Sequence, residues 1–269
     1  MSTAWPVVAA GAAVVVVVIA ATREVAAMAE ARVVLVAGAT GLVGRAVLAD
    51  LLAAEHNAPL SGVGHQRDDA AVTPRVHVLY AHGRQPPESA HAQVHLHAIN
   101  FGELAQYPAA ADLPKIDVVY IALGTTLAAA GSKTAFRAVD YDAVMATARC
   151  ARAAGATRCG VVSAMGADPY SRIFYSRVKG EVERDLQTLG FTQLVIARPS
   201  LLLGDRAALG QAPRAGESLS MKLLTWFEGV VPTRYRARDA GDVGRALVVA
   251  VQTRGAGVHV LMGSALDPQ

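Results

Sequence analysis

Hydrophobic positions along this chain fall into short continuous runs, and Ala-rich stretches of helical period separate them. Val33 to Ala37 (VVLVA) is apolar at every position, as expected of a strand buried on both faces of a parallel sheet. A Gly-rich turn follows, then a helix from about Val43 to Ala54. A weak strand is expected near Leu60 to Val63, which would make it the second strand. Further strands are expected over Val94 to Ile99 and over Asp117 to Leu123 (DVVYIAL). A helix should run from about Tyr141 to Ala154 and end at Gly155, a residue suited to the position just past a helix. Strands over Gly160–Val162 and Leu194–Ala197, and a helix starting near Gly241, continue the alternation. Repeated β-α-β predicts an α/β fold, a doubly wound parallel sheet of the Rossmann type. The expected division is an apolar N-terminal segment, 1–30, and one Rossmann domain, 31–269, in which 200–269 build the substrate side.

A longer polar connection is expected from about Arg67 to Ala92, with Pro74, Pro86 and Pro87. It carries His77, His82 and His91, and His95 and His97 follow on the next strand. Five histidines in one window raise the question of a metal. No Cys or carboxylate cluster accompanies them at ligand spacing, so no metal site is expected. His95 and His97 should face solvent, alternating with Val94, Leu96 and Ala98 toward the core.

Composition narrows the class. Hydrophobic residues make up 53% and charged residues 17% of the 269, which excludes intrinsic disorder. The net charge of +3 comes from scattered basic residues, mostly Arg, so no nucleic-acid partner is expected. Two cysteines, Cys150 and Cys159, are no disulfide framework and read as small core residues. No charged side chain occurs from Met1 to Thr22, a stretch that includes VVVVVIA. A run of roughly 18 apolar residues is at the lower limit for a membrane helix, and the basic region of an export signal is missing. The expectation is a start-site artefact, with Met28 opening the domain, or a weak membrane tether through residues 1–22. A cytoplasmic location is expected.

Two constellations carry chemistry. Gly38, Gly41 and Gly44 form GxxGxxG between the first strand and the first helix. Glycine permits the tight turn and a close backbone approach to a pyrophosphate, and the helix start offers free N–H groups to that anion. The strand before and the helix after supply the context the motif requires. At the end of the expected second strand, Gly62-Val63-Gly64-His65-Gln66-Arg67 lacks the acidic residue that would hold a ribose 2′-hydroxyl. His65 and Arg67 could meet a 2′-phosphate there, so NADP(H) is expected over NAD(H). Farther on, Tyr175 and Lys179 are four apart and share one helix face. A nearby ammonium favours the phenolate, which suits tyrosine to proton transfer at a carbonyl. Ser163 ends a strand (CGVVS) twelve residues before Tyr175, where its hydroxyl could hold the reacting oxygen.

The chain resembles the atypical short-chain dehydrogenase/reductases, and among them the Tat-interactive-protein type of oxidoreductase. The residues that carry this are GATGLVG from Gly38, ALGTT from Ala122, VDYD from Val139, VVSAMGAD from Val161, YSRVKGEVE from Tyr175 and ARPSLLLGDR from Ala197. The resemblance implies that Gly38, Thr40, Gly41, Leu42, Val43 and Gly44 hold the pyrophosphate. It implies that Asn100 and Phe101 contact the adenine, where Asp is more usual than Asn, and that Leu123, Gly124 and Thr125 border the cofactor. Lys179 would also bind the nicotinamide ribose, and Pro199 would flank the nicotinamide. Tyr175 would be the general acid in reduction, and Ser163 its partner.

After Arg206 the chain should build the substrate wall. Leu223, Leu224, Trp226 and Phe227 form an apolar cluster, and Arg234, Arg236 and Arg238 could face an anion or solvent. This region is short for a nucleotide-sugar epimerase, so a small carbonyl compound is the expected substrate. Two rivals stand beside the reductase: a non-catalytic NADP(H) sensor or scaffold, and an epimerase or dehydratase. Oligomeric state is left open by the sequence.

Overall fold

The computed structural model describes residues 33–53, 74–87, 91–106, 112–200, 202–203 and 238–267. The apolar segment 1–30, the expected strand at Leu60–Val63, His65, Arg67, Leu223, Leu224, Trp226, Phe227, Arg234 and Arg236 lie outside the described residues.

The chain begins with β1 (Val33–Ala37), α1 (Leu42–Ala53), β2 (Arg75–Ala81), β3 (Val94–Ile99) and α2 (Phe101–Gln106). β4 (Val118–Ile121), α3 (Leu127–Ala130), α4 (Lys133–Arg137), a π-helical segment (Ala138–Ala143) and α5 (Val144–Ala153) follow. Then come β5 (Arg158–Val162), α6 (Phe174–Gln187), β6 (Gln193–Ala197), β7 (Leu202–Leu203) and β8 (Arg238–Asp239). α7 (Ala240–Thr253), β9 (Gly257–Leu261) and a short 3₁₀ turn (Gly263–Leu266) close it.

Seven parallel strands form one sheet in the order β3-β2-β1-β4-β5-β6-β9. This is the doubly wound Rossmann arrangement, and the order reverses between β1 and β4, where such sheets open a crevice at their carboxyl ends. α1 packs on α7 against one face, while α2, α5 and α6 cover the other. β1, β4 and all of β6 after Gln193 are apolar because helices bury both their sides. Leu35, Leu79, Ile121, Met145, Leu186 and Ile196 form the core under α5 and α6, together with both cysteines. Burial pushes the Cys150 thiol up to about 11, and raises that of Cys159 as well. Neither is a reactive thiol, as the sequence suggested.

Two sequence expectations fail around β2. The strand beside β1 is Arg75–Ala81, which the sequence reading had placed inside a polar connection. Its pattern, RVHVLYA, is apolar and buried from Val76 to Leu79 except for His77, whose ring is only 8% exposed. One histidine inside an apolar run hid the strand. The expected alternation on β3 fails too. His95 is exposed as expected, but so are Leu96 and Ala98, and His97 is half-buried. β3 is the edge strand of the sheet, and its register sets His95 beside His77 and His97 beside Leu79. His77 Nδ1 lies 2.9 Å from His97 Nε2, and His95 stacks on His77 at 4.8 Å between ring centroids. β9 was not anticipated at all. Five residues with an exposed Gly257 give little periodicity to read.

Candidate active site and cofactor cleft

Gly38 leaves β1 at φ +91°, a left-handed conformation that side chains rarely adopt. A Cβ there would lie 2.5 Å from the Ala122 carbonyl, so the β1 turn sits directly against the end of β4. A Cβ at Gly44 would reach 2.0 Å from the Gly38 oxygen, which lets α1 start tight against the turn. These two glycines serve close packing. Gly41 is different, since a Cβ there would touch only the Gly38 oxygen at 3.4 Å. Gly41, Leu42 and Val43 face a cavity of about 180 Å³ at the carboxyl ends of β1, β4 and β5. The first turn of α1 carries no acidic residue, so the positive end of its dipole is not offset.

Ala122, Leu123, Gly124, Thr125, Asp140, Ser163, Tyr175 and Lys179 complete the cavity wall. Tyr175 and Lys179 are on successive turns of α6, as their spacing predicted. The Lys179 ammonium is 2.7 Å from Asp140 Oδ1, with side chains 7% and 0% exposed. The Thr125 N–H donates to Asp140 Oδ2 at 2.8 Å. Asp140 stands in the π-helical segment, a wide turn of the kind often found at functional sites. The sequence reading quoted Asp140 only as part of VDYD and gave it no role. A second carboxylate, Asp142, stands two residues on, so no local signal singled Asp140 out.

Glu183 comes one turn after Lys179 on the same face and is 3% exposed. It accepts Arg198 Nε at 3.0 and 3.1 Å and is also bonded by Arg198 Nη2. This pairing raises the Arg198 pKa above its ordinary value. The Ser163 hydroxyl donates to Glu183 Oε1. Ser163 therefore lines the cavity with its proton already committed. Pro199 is buried just past β6, where its carbonyl accepts from the Met165 N–H at 2.8 Å.

A second, open cleft of about 700 Å³ lies at the ends of β2 and β3, lined by Ala81, His82, Ile99, Asn100, Phe101 and Glu103. Asn100 Oδ1 accepts from the Gly102 N–H at 2.9 Å, a local turn that opens α2. β2 ends in a turn closed by the Arg84 N–H to the Ala81 oxygen at 3.0 Å, with Gly83 at φ +79°. This end reads Ala81-His82-Gly83-Arg84. It, and not the segment holding His65 and Arg67, is the end of the strand beside β1. It carries no acidic residue and exposes Arg84.

The structure thus brings Gly41, Leu42, Val43, Leu123, Gly124, Thr125, Ser163, Tyr175 and Lys179 around one cavity. Asn100 and Phe101 line the other cleft, Thr40 is exposed beside the glycine turn, and His65 and Arg67 fall outside the described residues. A nicotinamide dinucleotide fits this set. A Cβ at Gly124 would lie 3.3 Å from Asp140 Oδ1 and 3.5 Å from Lys179 Nζ, so glycine there leaves the cavity floor open above a buried ammonium. Among the described residues no group of three or more ligating side chains is placed to hold a metal, and no helix is long and apolar enough to cross a membrane.

No family model matches the chain. An FMP52 protein of Emericella nidulans is 30% identical over 230 residues, 84% of this chain and 87% of that protein. An FMP52 protein of Candida albicans is 37% identical over 133 residues, 49% of this chain and 57% of that protein. HTATIP2 of Rattus norvegicus is 36% identical over 147 residues, 53% of this chain and 58% of that protein. Against the first four FMP52 relatives the matched stretch spans 41% to 61% of their own length. Among solved structures, a UDP-N-acetylglucosamine 4-epimerase from Methanobrevibacter ruminantium aligns with a TM-score of 0.59 at 12% identity, covering 87% of this chain and 77% of that one. MoeE5, solved with UDP-glucuronic acid and NAD, gives 0.59 at 17%, covering 86% and 76%. At such identities these structures establish the fold alone. The relatives also correct one expectation. The FMP52 proteins are named mitochondrial, which overturns a cytoplasmic location inferred from the need for nicotinamide. That need does not single out the cytoplasm, since mitochondria hold their own nicotinamide pool. With a relative matched over most of both chains and the glycine turn, Tyr175 and Lys179 around one cavity, the chain belongs to the FMP52 family of atypical short-chain dehydrogenase/reductases.

Proposed function

We propose that this protein is an NADP(H)-dependent oxidoreductase that reduces a small carbonyl compound, with Tyr175 giving the proton. One observation carries the reading: Tyr175 and Lys179 open into the same cavity as the start of α1. The bound nicotinamide would supply hydride. The N-terminal turn of α1 and Gly41 would hold the pyrophosphate, and Lys179 would hold the nicotinamide ribose. Tyr175 would donate its phenolic proton to the substrate oxygen as that oxygen gains charge. Pro199 would flank the nicotinamide, and Asn100 and Phe101 the adenine.

The preference for a 2′-phosphate moves from His65 and Arg67 to the end of β2. Arg84 and His82 stand where an NAD site would carry an acidic residue. Arginine suits a phosphate because its donors are charged and forked. The test is calorimetric titration of NADPH and NADH into the full chain. Tight NADPH with weak NADH is expected, and binding of neither would sink the reading. Tyr175→Phe should then abolish turnover of any carbonyl substrate found in a screen, with cofactor affinity within about twofold. Loss of cofactor binding in that variant would remove Tyr175 from its assigned role.

The sensor reading has one observation in its favour. Ser163 gives its proton to Glu183, so it is not free to donate to a carbonyl oxygen. In this arrangement it faces the cavity as an acceptor. A cofactor-loaded protein that turns over no carbonyl compound while binding a protein partner would favour this alternative. The names of the relatives support a mitochondrial setting, and cell fractionation would test it.

A further inference from the structure

Ser163 shares the cavity wall with Tyr175 and Lys179, and its backbone is fixed. Its N–H donates to the Ala197 oxygen at 2.7 Å, which carries the β5–β6 pairing one residue past β5. The side chain is 7% exposed, and its hydroxyl donates to Glu183 Oε1. Glu183 decides the direction of that bond. Arg198 Nε reaches both of its carboxylate oxygens, at 3.0 and 3.1 Å, and Arg198 Nη2 bonds Oε2 as well. The partner of a guanidinium is a carboxylate, and a carboxylate has only lone pairs to offer. The proton between the two side chains therefore belongs to Ser163. A hydroxyl carries one proton and two lone pairs. With the proton turned to Glu183, only lone pairs remain for the cavity. Tyr175 presents the complementary group. Its ring rests on Phe136, 5.6 Å between centroids, and its phenolic proton is the one that the reductase reading gives to a carbonyl oxygen.

We infer that Glu183 is a positioning residue that makes Ser163 an acceptor, so that the cavity selects carbonyl compounds with a hydroxyl next to the carbonyl. The carbonyl oxygen meets the Tyr175 proton, and the neighbouring hydroxyl donates to Ser163 Oγ. A cavity of about 180 Å³ gives the two side chains a short reach, so the two substrate groups belong on adjacent carbons. A plain ketone or aldehyde has no proton to offer Ser163 and leaves a buried acceptor unmatched, which is how a polar site discriminates. The idea rests on the reductase reading of the same site and narrows its substrate to an α-hydroxy carbonyl compound. Glu183 touches no reacting atom and acts through Ser163.

The test compares ligands that differ in that one proton. Hydroxyacetone, methoxyacetone and acetone form one series, and α-hydroxyacetophenone, α-methoxyacetophenone and acetophenone a larger one. Affinities are read by saturation-transfer NMR on the full chain, with and without saturating NADP⁺, so that no ketone is turned over. In at least one series the hydroxy compound should bind at least about fivefold tighter than both the ether and the plain ketone. Glu183→Gln leaves an amide oxygen for Arg198 and sets an amide N–H against Ser163 Oγ, which turns the serine proton into the cavity. The preference should then fall to within about twofold. A merely structural role would weaken all three ligands together and leave their ratio unchanged. If Glu183→Gln does not fold, Ser163→Ala decides, because it keeps the Glu183–Arg198 pair, and it too should bring the ratio to within about twofold. Equal binding by the parent, no binding of either hydroxy compound, or an unchanged ratio in the folded variant would overturn the idea. NADPH oxidation by the same compounds keeps the two claims apart. A hydroxyl preference in binding without oxidation would end the reductase reading and leave the Ser163 assignment standing. Oxidation as fast with plain ketones as with hydroxy ketones would do the reverse.

Discussion

The floor of the Tyr175 cavity and the β2–β3 edge both carry polar side chains into apolar layers, and they treat charge in opposite ways. Under the cavity, Lys179 and Glu183 are 6% and 3% exposed, and each meets an opposite charge. At the sheet edge, His77 is equally buried at 8%, yet its neighbours are His95, His97 and Arg75. Asp112 acts on His97 in favour of a proton, and burial and the neighbouring His95 ring outweigh it. Desolvation first, then His97, His95 and Arg75, push His77 down to about 4, and His97 is lowered for similar reasons. A buried charge is kept where a counter-ion is built beside it, as chemistry would require. Where none is built, the group sheds its charge and becomes part of the packing.

The contrast is broken most severely by unpairing the cavity. Lys179→Met leaves Asp140 as a lone buried carboxylate, and the expected loss is about 3–5 kcal/mol in denaturant unfolding. Asp140→Asn with Lys179→Met together should cost less than Lys179→Met alone. A double variant as damaged as the sum of the two single ones would mean the pair is not coupled. A smaller effect is expected at the outer end of the sheet. Arg84→Ala should weaken NADPH by about tenfold or more, the scale of one lost charge-assisted bond, with NADH changed by less than about twofold. Equal weakening of both would show that Arg84 does not distinguish the 2′-phosphate.

The two regions also differ in how well they could be read from sequence. The cavity was legible because its parts are local. Four residues separate Tyr175 from Lys179, and helical geometry alone puts them on one face. The glycine turn sits between its strand and its helix, and one step of chain fixes it. Asp140 escaped because nothing in the sequence says that a π-helical turn will bring it to a lysine thirty-nine residues on. The sheet edge was misread for a different reason. Strand pairing is set by tertiary contact, and a long segment between Ala53 and Arg75 separates β1 and α1 from the strand that joins them. Leu60–Val63 looked like the next apolar run, so the expected 2′-phosphate contact went to His65 and Arg67. With β2 at Arg75–Ala81 the same physical argument lands on His82 and Arg84.

The mildest test concerns the histidine stack, and its direction follows from linkage. An unfolded histidine takes up a proton near 6.5, while the native His77 does so only at about 4. Between these values the unfolded state holds more protons, so stability rises with pH across the window. It falls as the solution is acidified from about 6.5, and the loss stops growing below about 4, where both states are protonated. Above about 6.5 the ring is neutral in both and contributes no slope. His77→Leu should remove this dependence and suit the apolar surroundings of β2. Loss of the 2.9 Å contact with His97 adds an offset that is constant only where both rings are neutral, above about 6.5. Urea unfolding at constant ionic strength is the measurement. The variant should gain on the parent by a fraction of a proton per pH unit as pH falls from about 6.5 to about 4, and the two should run parallel from about 7 to 8. Slope left in the variant within the window comes from the other shifted groups, among them His97, whose shift has the same sign, and Asp50, whose raised pKa acts in the opposite sense. Parallel curves through the acid window as well would mean that His77 accepts its proton as readily folded as unfolded, and the sheet edge would then be an open polar surface and not a desolvated one.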